Sequence, residues 1–210
     1  LIGPDDEVIM PTPCWVSYVE MVKIAQGKSV LVKTTMENNF CLTAEQLEAA
    51  ITPATKLLLL CSPNNPTGSV YTLENLKAIV EVLKKYPQIV VLADEIYQHI
   101  LYTGKHETMA QFPEIEDRLI IINGVSKAYA MTGYRIGWLA SHDKDFITAV
   151  KRLQGQTISC ATTIAQRAAE AAYTGPQECV EDMRQAFERR GEMNGRWAKD
   201  IRGMKVLEHQ

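Results

Sequence analysis

The chain has 210 residues, 46% of them apolar and 22% charged, with 22 Lys plus Arg against 25 Asp plus Glu for a net charge of -3. At roughly 150 residues per domain this is one globular domain, with room for an appendage. Such an even charge balance supplies no basic surface for nucleic acid or an anionic membrane. Apolar runs such as 57–61 and 119–122 are far too short to span a bilayer and no basic-then-apolar leader precedes them, so a cytoplasmic protein is expected.

Asp6-Glu7-Val8-Ile9-Met10-Pro11 reads as a strand entered from a turn, an opening that suits the interior of a longer chain. Residues 15–26 place Val16, Val19, Val22 and Ile24 near helical spacing and stop at Gly27. A strand is expected over 29–35. Thr43-Ala44-Glu45-Gln46 is a capping box that opens a short helix to Ile51, and an apolar strand over 56–61 runs into Ser62-Pro63. Thr72 caps a helix over 73–86, and two more apolar, β-branched runs follow at 89–93 and 119–122. Residues 137–141 add a strand, and Asp143 caps a helix over 144–154. Thr163-Ile164-Ala165-Gln166 reads as a second capping box before an alanine-rich helix to Tyr173. Beyond the Gly175-Pro176 break, 177–201 form one long amphipathic helix with Val180, Met183, Phe187, Trp197 and Ile201 on one broad side, interrupted at Gly191 and Gly195. Strands this uniformly apolar need cover on both faces. The expected fold class is therefore α/β: a three-layer, mostly parallel open sheet with helices on both faces and a long C-terminal helix.

Five cysteines at wide spacings, with no Cys-x-x-Cys, read as reduced and mostly packed thiols. His99, His106, His142 and His209 form no pair at ligand spacing, so no metal site is expected.

In open α/β sheets ligands bind beyond the carboxyl ends of the strands. Three apolar runs here end in polar clusters: Ser62-Pro63-Asn64-Asn65-Pro66-Thr67-Gly68, Asp94-Glu95-Ile96-Tyr97, and Ser126-Lys127. About one free lysine in 2,500 is neutral at pH 7, and lowering its pKa to neutrality costs about 4 kcal/mol. A lysine held as a Schiff base avoids that cost, whereas a surface lysine in a loop is the plain alternative for Lys127. Asp94 at the end of a buried strand is costly unless a cation meets it, and a protonated pyridine nitrogen is such a cation. The competing role is capping the turn that follows. Glu95, next door, should face elsewhere and pair locally.

Arg135 lies between Gly133 and Gly137, where a planar guanidinium can grip phosphate oxygens, and Ser126 could add a hydroxyl. An ordinary surface ion pair and a small turn residue are the alternatives. Asn65 sits in a proline-bracketed turn that orients its amide towards a phenolate-like oxygen, as the Tyr97 hydroxyl could also do; Asn-Pro is otherwise a common turn. Trp15 could offer its face to a flat heteroaromatic ring, or serve the core.

Together, Trp15-Val16-Ser17-Tyr18, the run from Ser62 to Gly68, Asp94 to Tyr97, and Ser126 to Gly137 resemble the fold type I, pyridoxal-phosphate-dependent class I and II aminotransferases, most closely the bacterial aspartate aminotransferase branch. The ordered set covers essentially the whole chain. The resemblance implies pyridoxal 5'-phosphate as cofactor and amino-group exchange between an amino acid, aspartate or a related one, and a 2-oxo acid. It makes Lys127, Asp94 and Tyr97 catalytic. Lys127 would carry the cofactor and move the substrate proton, Asp94 would pair with the ring nitrogen, and Asn65 with Tyr97 would bond the ring hydroxyl. Trp15 would stack on the ring, and Ser126 with Arg135 would hold the phosphate.

The resemblance also implies a homodimer for the full-length protein. It maps residues 1–176 to the cofactor-binding large domain without its N-terminal part, and 177–210 to a helix leading towards a small domain outside the chain. On that mapping the chain alone turns over little substrate. Two positions depart from the family: Cys14 stands where close relatives usually carry tyrosine, and Gly124 where some branches carry a phosphate-binding serine. A lyase or synthase of the same fold, and a catalytically silent scaffold module, are the alternatives; product analysis and replacement of Lys127 separate them.

Overall fold

The computed structural model describes residues 1–207; His209 lies outside them. In chain order the elements are β1 (Glu7–Thr12), α1 (Val16–Ile24), β2 (Lys28–Lys33), α2 (Ala44–Ala50), β3 (Thr55–Cys61), α3 (Leu73–Leu83), β4 (Val90–Asp94), β5 (Leu119–Gly124), β6 (Gly137–Ser141), α4 (Lys144–Thr157), α5 (Thr163–Thr174) and α6 (Glu178–Lys199). The strands form one sheet in the order β2-β1-β3-β4-β5-β6. All neighbours run parallel except β5 and β6.

Side chains alternate across a strand, so each apolar strand feeds both faces of the sheet. Ile9, Leu58, Leu60, Val91 and Ala93 pack with Leu47 of α2 and with Leu76, Ile79, Val80 and Leu83 of α3. From the same strands, Val8, Met10, Leu57, Leu59 and Cys61 pack with Tyr18 and Val22 of α1. The sheet is thus the middle of three layers, and each Val, Leu, Ile or Met side chain among these contributes about 1.5–3 kcal/mol on burial. Cover thins beyond β5: β6 is largely exposed and α4 buries no residue.

The predicted caps behave unequally. Thr43 and Thr72 make full capping boxes with Gln46 and Asn75, and Asp143 accepts from the backbone of Asp145 and Phe146. The Thr163 box does not form. Thr162 is the N-cap, with no side-chain cap bond, and Gln166 instead donates Nε2 to Ala161 O at 2.6 Å. A threonine one residue earlier takes the extended conformation that a cap needs.

The helix expected over 73–86 ends at Leu83, α4 runs on to Thr157, and α6 passes through Gly191 and Gly195 without a break. Its apolar side is buried only near the start: Val180 is covered, whereas Trp197 is exposed and Ile201 lies past the helix end and is exposed. All five cysteines are free; Cys41 and Cys61 are buried, Cys14 is half-buried, and Cys160 and Cys179 are exposed, so the packed-thiol expectation fails for the last two. Among the described residues no helix is long and apolar enough to cross a membrane, and no cluster of His, Cys, Asp or Glu could hold a metal ion.

Candidate active site

β3 and β4 reach their carboxyl ends at one level, and β5 runs past them to Gly124. Cys61 of β3 stands abreast of Asp94 of β4, and Asp94 abreast of Ile122 of β5. The loops that follow carry the three polar clusters, so residues far apart in sequence meet over the sheet end. Trp15, Asn65, Asp94, Tyr97, Ser126, Lys127 and Arg135 all line one cavity of about 260 Å³. Every site residue expected from the sequence is therefore in one place.

Asp94 is 9% exposed. Its Oδ1 accepts from Ile96 N at 3.1 Å, the turn-capping bond, and its Oδ2 accepts from the Tyr18 hydroxyl at 2.6 Å. The two roles considered for Asp94 are compatible, because the capping bond leaves the carboxylate on the cavity wall. Burial raises its pKa above the ordinary aspartate value. The bonds from Tyr18 and Ile96 work against that rise, the neighbouring Glu95 adds to it, and Lys127 opposes it. Burial and the nearby Cys61 and Asp94 also raise the pKa of Tyr18, which stays a neutral donor. Cys61, pushed up to about 11 chiefly by burial, likewise keeps its proton and donates it to Pro63 O at 3.2 Å.

Asn65 Nδ2 donates to the Tyr97 hydroxyl at 3.3 Å, and Lys127 Nζ lies 5.4 Å from the centroid of the Tyr97 ring. The 62–68 turn is braced from within, Gly68 N donating to Asn64 O at 2.8 Å, and from outside, Asn64 Nδ2 donating to Pro13 O at 3.0 Å. The second bond ties this turn to the segment that brings Trp15 to the cavity. Trp15 meets Tyr18 edge to face at 5.3 Å between centroids. Arg135 closes a single 3-10 turn over Thr132–Tyr134 in the left-handed conformation, φ 52°, with Nη1 donating to Thr132 O at 3.0 Å. A non-glycine residue there carries strain of about 1–3 kcal/mol.

The structure adds Tyr18, Ile96, Ile122 and Thr132 to the lining. A second cavity of about 540 Å³ adjoins the first; it shares Asn65, Tyr97, Ser126, Lys127 and Thr132 and adds Ile100, Tyr102, Met183 and Phe187. The arrangement joins an amine, a buried carboxylate with one hydroxyl donor, an amide-phenol pair and a guanidinium with a nearby hydroxyl. It can take a flat ring with a cationic nitrogen at one end and an anionic group at the other.

Residues 1–193 match the family model described as aminotransferase class I and II. An aspartate/prephenate aminotransferase of Nitrosomonas europaea is 45% identical over 208 residues, which cover 98% of this chain and 52% of that protein. An aspartate aminotransferase of Geobacillus stearothermophilus is 51% identical over 192 residues, 90% of this chain and 48% of that one. Among solved structures, the aspartate aminotransferase of Rhizobium meliloti superposes with a TM-score of 0.95 at 42% identity, over 100% of this chain and 53% of its own. The aromatic aminotransferase of Pyrococcus horikoshii gives 0.95 at 32% identity, over 100% and 56%. The chain spans about half the length of the curated relatives it matches.

Proposed function

The chain belongs to the class I and II aminotransferases, and from that membership we propose that its site holds pyridoxal 5'-phosphate and moves an amino group between aspartate, or a related amino acid, and a 2-oxo acid. Members of the family use this cofactor, which when bound supplies the electron sink for the reaction. The observation that carries the reading is the convergence of Lys127, Asp94, Asn65, Tyr97, Trp15, Ser126 and Arg135 on one cavity. The residues fit the group on chemistry: a carboxylate this buried calls for a cation, and the cavity it lines offers a ring nitrogen that place.

In this reading Asp94 holds a protonated ring nitrogen, with Tyr18 and Ile96 N fixing the plane of its carboxylate. Asn65 and Tyr97 donate to the ring oxygen, Trp15 covers a ring face, and Arg135 with Ser126 grips the phosphate. Lys127 Nζ would hold the cofactor covalently, and the same amine would serve as the base that takes the substrate α-proton and the acid that returns it. The polar and aromatic walls keep the amine oriented.

Residues 1–176 are the cofactor-binding portion in this reading, with 177–210 leading out of it. A cytoplasmic homodimer is part of the same proposal for the whole protein, supported by family membership. Covalent capture tests the proposal: borohydride reduction of the chain with pyridoxal phosphate should add one cofactor mass at Lys127. Lys127→Ala should abolish the adduct. In a separate, unreduced sample, amino acid should yield a 2-oxo acid with nitrogen retained on the cofactor, whereas release of ammonia would refute transfer.

A further inference from the structure

Glu95 is a buried carboxylate that the proposed reaction leaves unused. It directly follows Asp94, its own N donates to Ile122 O at 2.9 Å, and the residue is 5% exposed. It faces away from the cavity, as its position next to Asp94 suggests. Oε1 accepts from Thr108 Oγ1 at 2.8 Å and from Met109 N at 3.1 Å. Oε2 lies 3.0 Å from His106 Nε2, a nitrogen with no hydrogen-bond partner. Thr108 in turn caps the short turn that begins at Met109. A carboxylate out of water is strongly disfavoured without such donors, so the carboxylate and the 106–109 segment hold each other in place.

Between these two anchor points the chain makes one excursion away from the sheet. That excursion carries Tyr97, Ile100 and Tyr102, all on the cavity walls. Its first turns are closed by Gln98 N donating to Glu95 O at 3.0 Å and Ile100 N to Tyr97 O at 2.8 Å. On the far side Arg184 Nη1 reaches Leu101 O at 3.4 Å. The Glu95 carboxylate is the tie at the base of the excursion.

Resting on the cofactor reading above, we propose that Glu95 is a positioning residue for Tyr97: by lacing residues 106–109 to the end of β4, it holds the Tyr97 hydroxyl at Asn65 and the Tyr97 ring beside Lys127.

The test compares the full 210-residue chain with Glu95→Leu, which fills similar space and removes the acceptor oxygen that Thr108 Oγ1 and Met109 N share. Amide hydrogen exchange across 96–109 should run about tenfold faster in the variant, with β1 and β3 unchanged. The absorbance of bound pyridoxal phosphate should move as it does in Tyr97→Phe, and the double variant should move no further than Tyr97→Phe alone. Unchanged exchange, or spectral effects of the two substitutions that simply add, overturns the proposal. Where Glu95→Leu fails to fold, Thr108→Val, which removes one of the two bonds to the carboxylate together with the cap on Ala110 N, replaces it in both measurements: faster exchange with a non-additive spectral shift supports the tie, and unchanged exchange or additive shifts overturn it. If the unmutated chain takes up no pyridoxal phosphate, the cofactor reading falls on that result, and hydrogen exchange still decides whether Glu95 ties the loop.

Discussion

Tyr18 and Asp94 meet across 76 residues of sequence, and their 2.6 Å bond is the shortest side-chain tie to the carboxylate. A hydroxyl donor on a buried carboxylate favours the charged form, and a hydrogen bond to a charged group is worth about 1.5–3 kcal/mol. Tyr18→Phe removes that donor while keeping the ring that packs in the α1 layer. Asp94 should then become harder to ionise, and affinity for pyridoxal phosphate should fall about tenfold or more, read by equilibrium absorbance titration. An unchanged affinity would mean that Ile96 N alone holds the carboxylate. Tyr18 is not legible in the sequence as a site residue. Asp94, Asn65 and Lys127 are visible because a polar residue breaks an apolar strand at its end. Tyr18 lies on the first turns of an amphipathic helix, where its spacing matches a core position, and it does fill one. Its second role depends on a carboxylate that only the folded sheet brings near.

At the level of elements, the β5–β6 pair shows why Gly124 is a glycine. Gly124 faces Gly137 across the antiparallel ladder, and a Cβ on Gly124 would stand 2.8 Å from Gly137 Cα and 2.9 Å from Ile136 O. Both obstacles are backbone, so neither can swing aside. The serine that the family resemblance suggests for this position has no room here. Gly124→Ala should lower stability by about 1–3 kcal/mol through overpacking, read by urea titration. Because Lys127 follows by three residues, the same variant should also weaken covalent capture of the cofactor. Full capture at unchanged stability would show that the strands can part without cost. The strands themselves are legible from their apolar runs because β1, β3, β4 and β5 are covered on both sides. Helix ends are less so: the Thr163 box fails since two adjacent threonines compete for one cap, and local pattern does not choose between them.

The whole molecule bears the energetic consequence of its site. Asp94 is held mostly out of water at the end of the central strand, and its pKa is raised from 3.8 by burial in spite of two donors. Below that ordinary value the folded and unfolded chains both carry the proton, and the group does not oppose folding. As pH rises past it the unfolded chain releases its proton first, so stability declines until the folded-state pKa is passed and stays lower beyond it. Asp94→Asn abolishes this penalty, and the amide suits its surroundings: Oδ1 can keep the bond from Ile96 N, and the Tyr18 hydroxyl can turn to accept from Nδ2. The variant should therefore melt higher than the unmutated chain at pH 7. A domain of this size gains about 2–4 °C per kcal/mol, and the difference should shrink towards nothing near pH 3. Thermal melts of both chains at the two pH values check this, and a variant that melts lower at pH 7 contradicts it. Loss of cofactor affinity alongside a gain in stability would identify the carboxylate as a group kept for chemistry against the interest of the fold. The same logic explains why a three-layer sheet with a continuous apolar interior ends, at the level of Cys61, Asp94 and Ile122, in a charge.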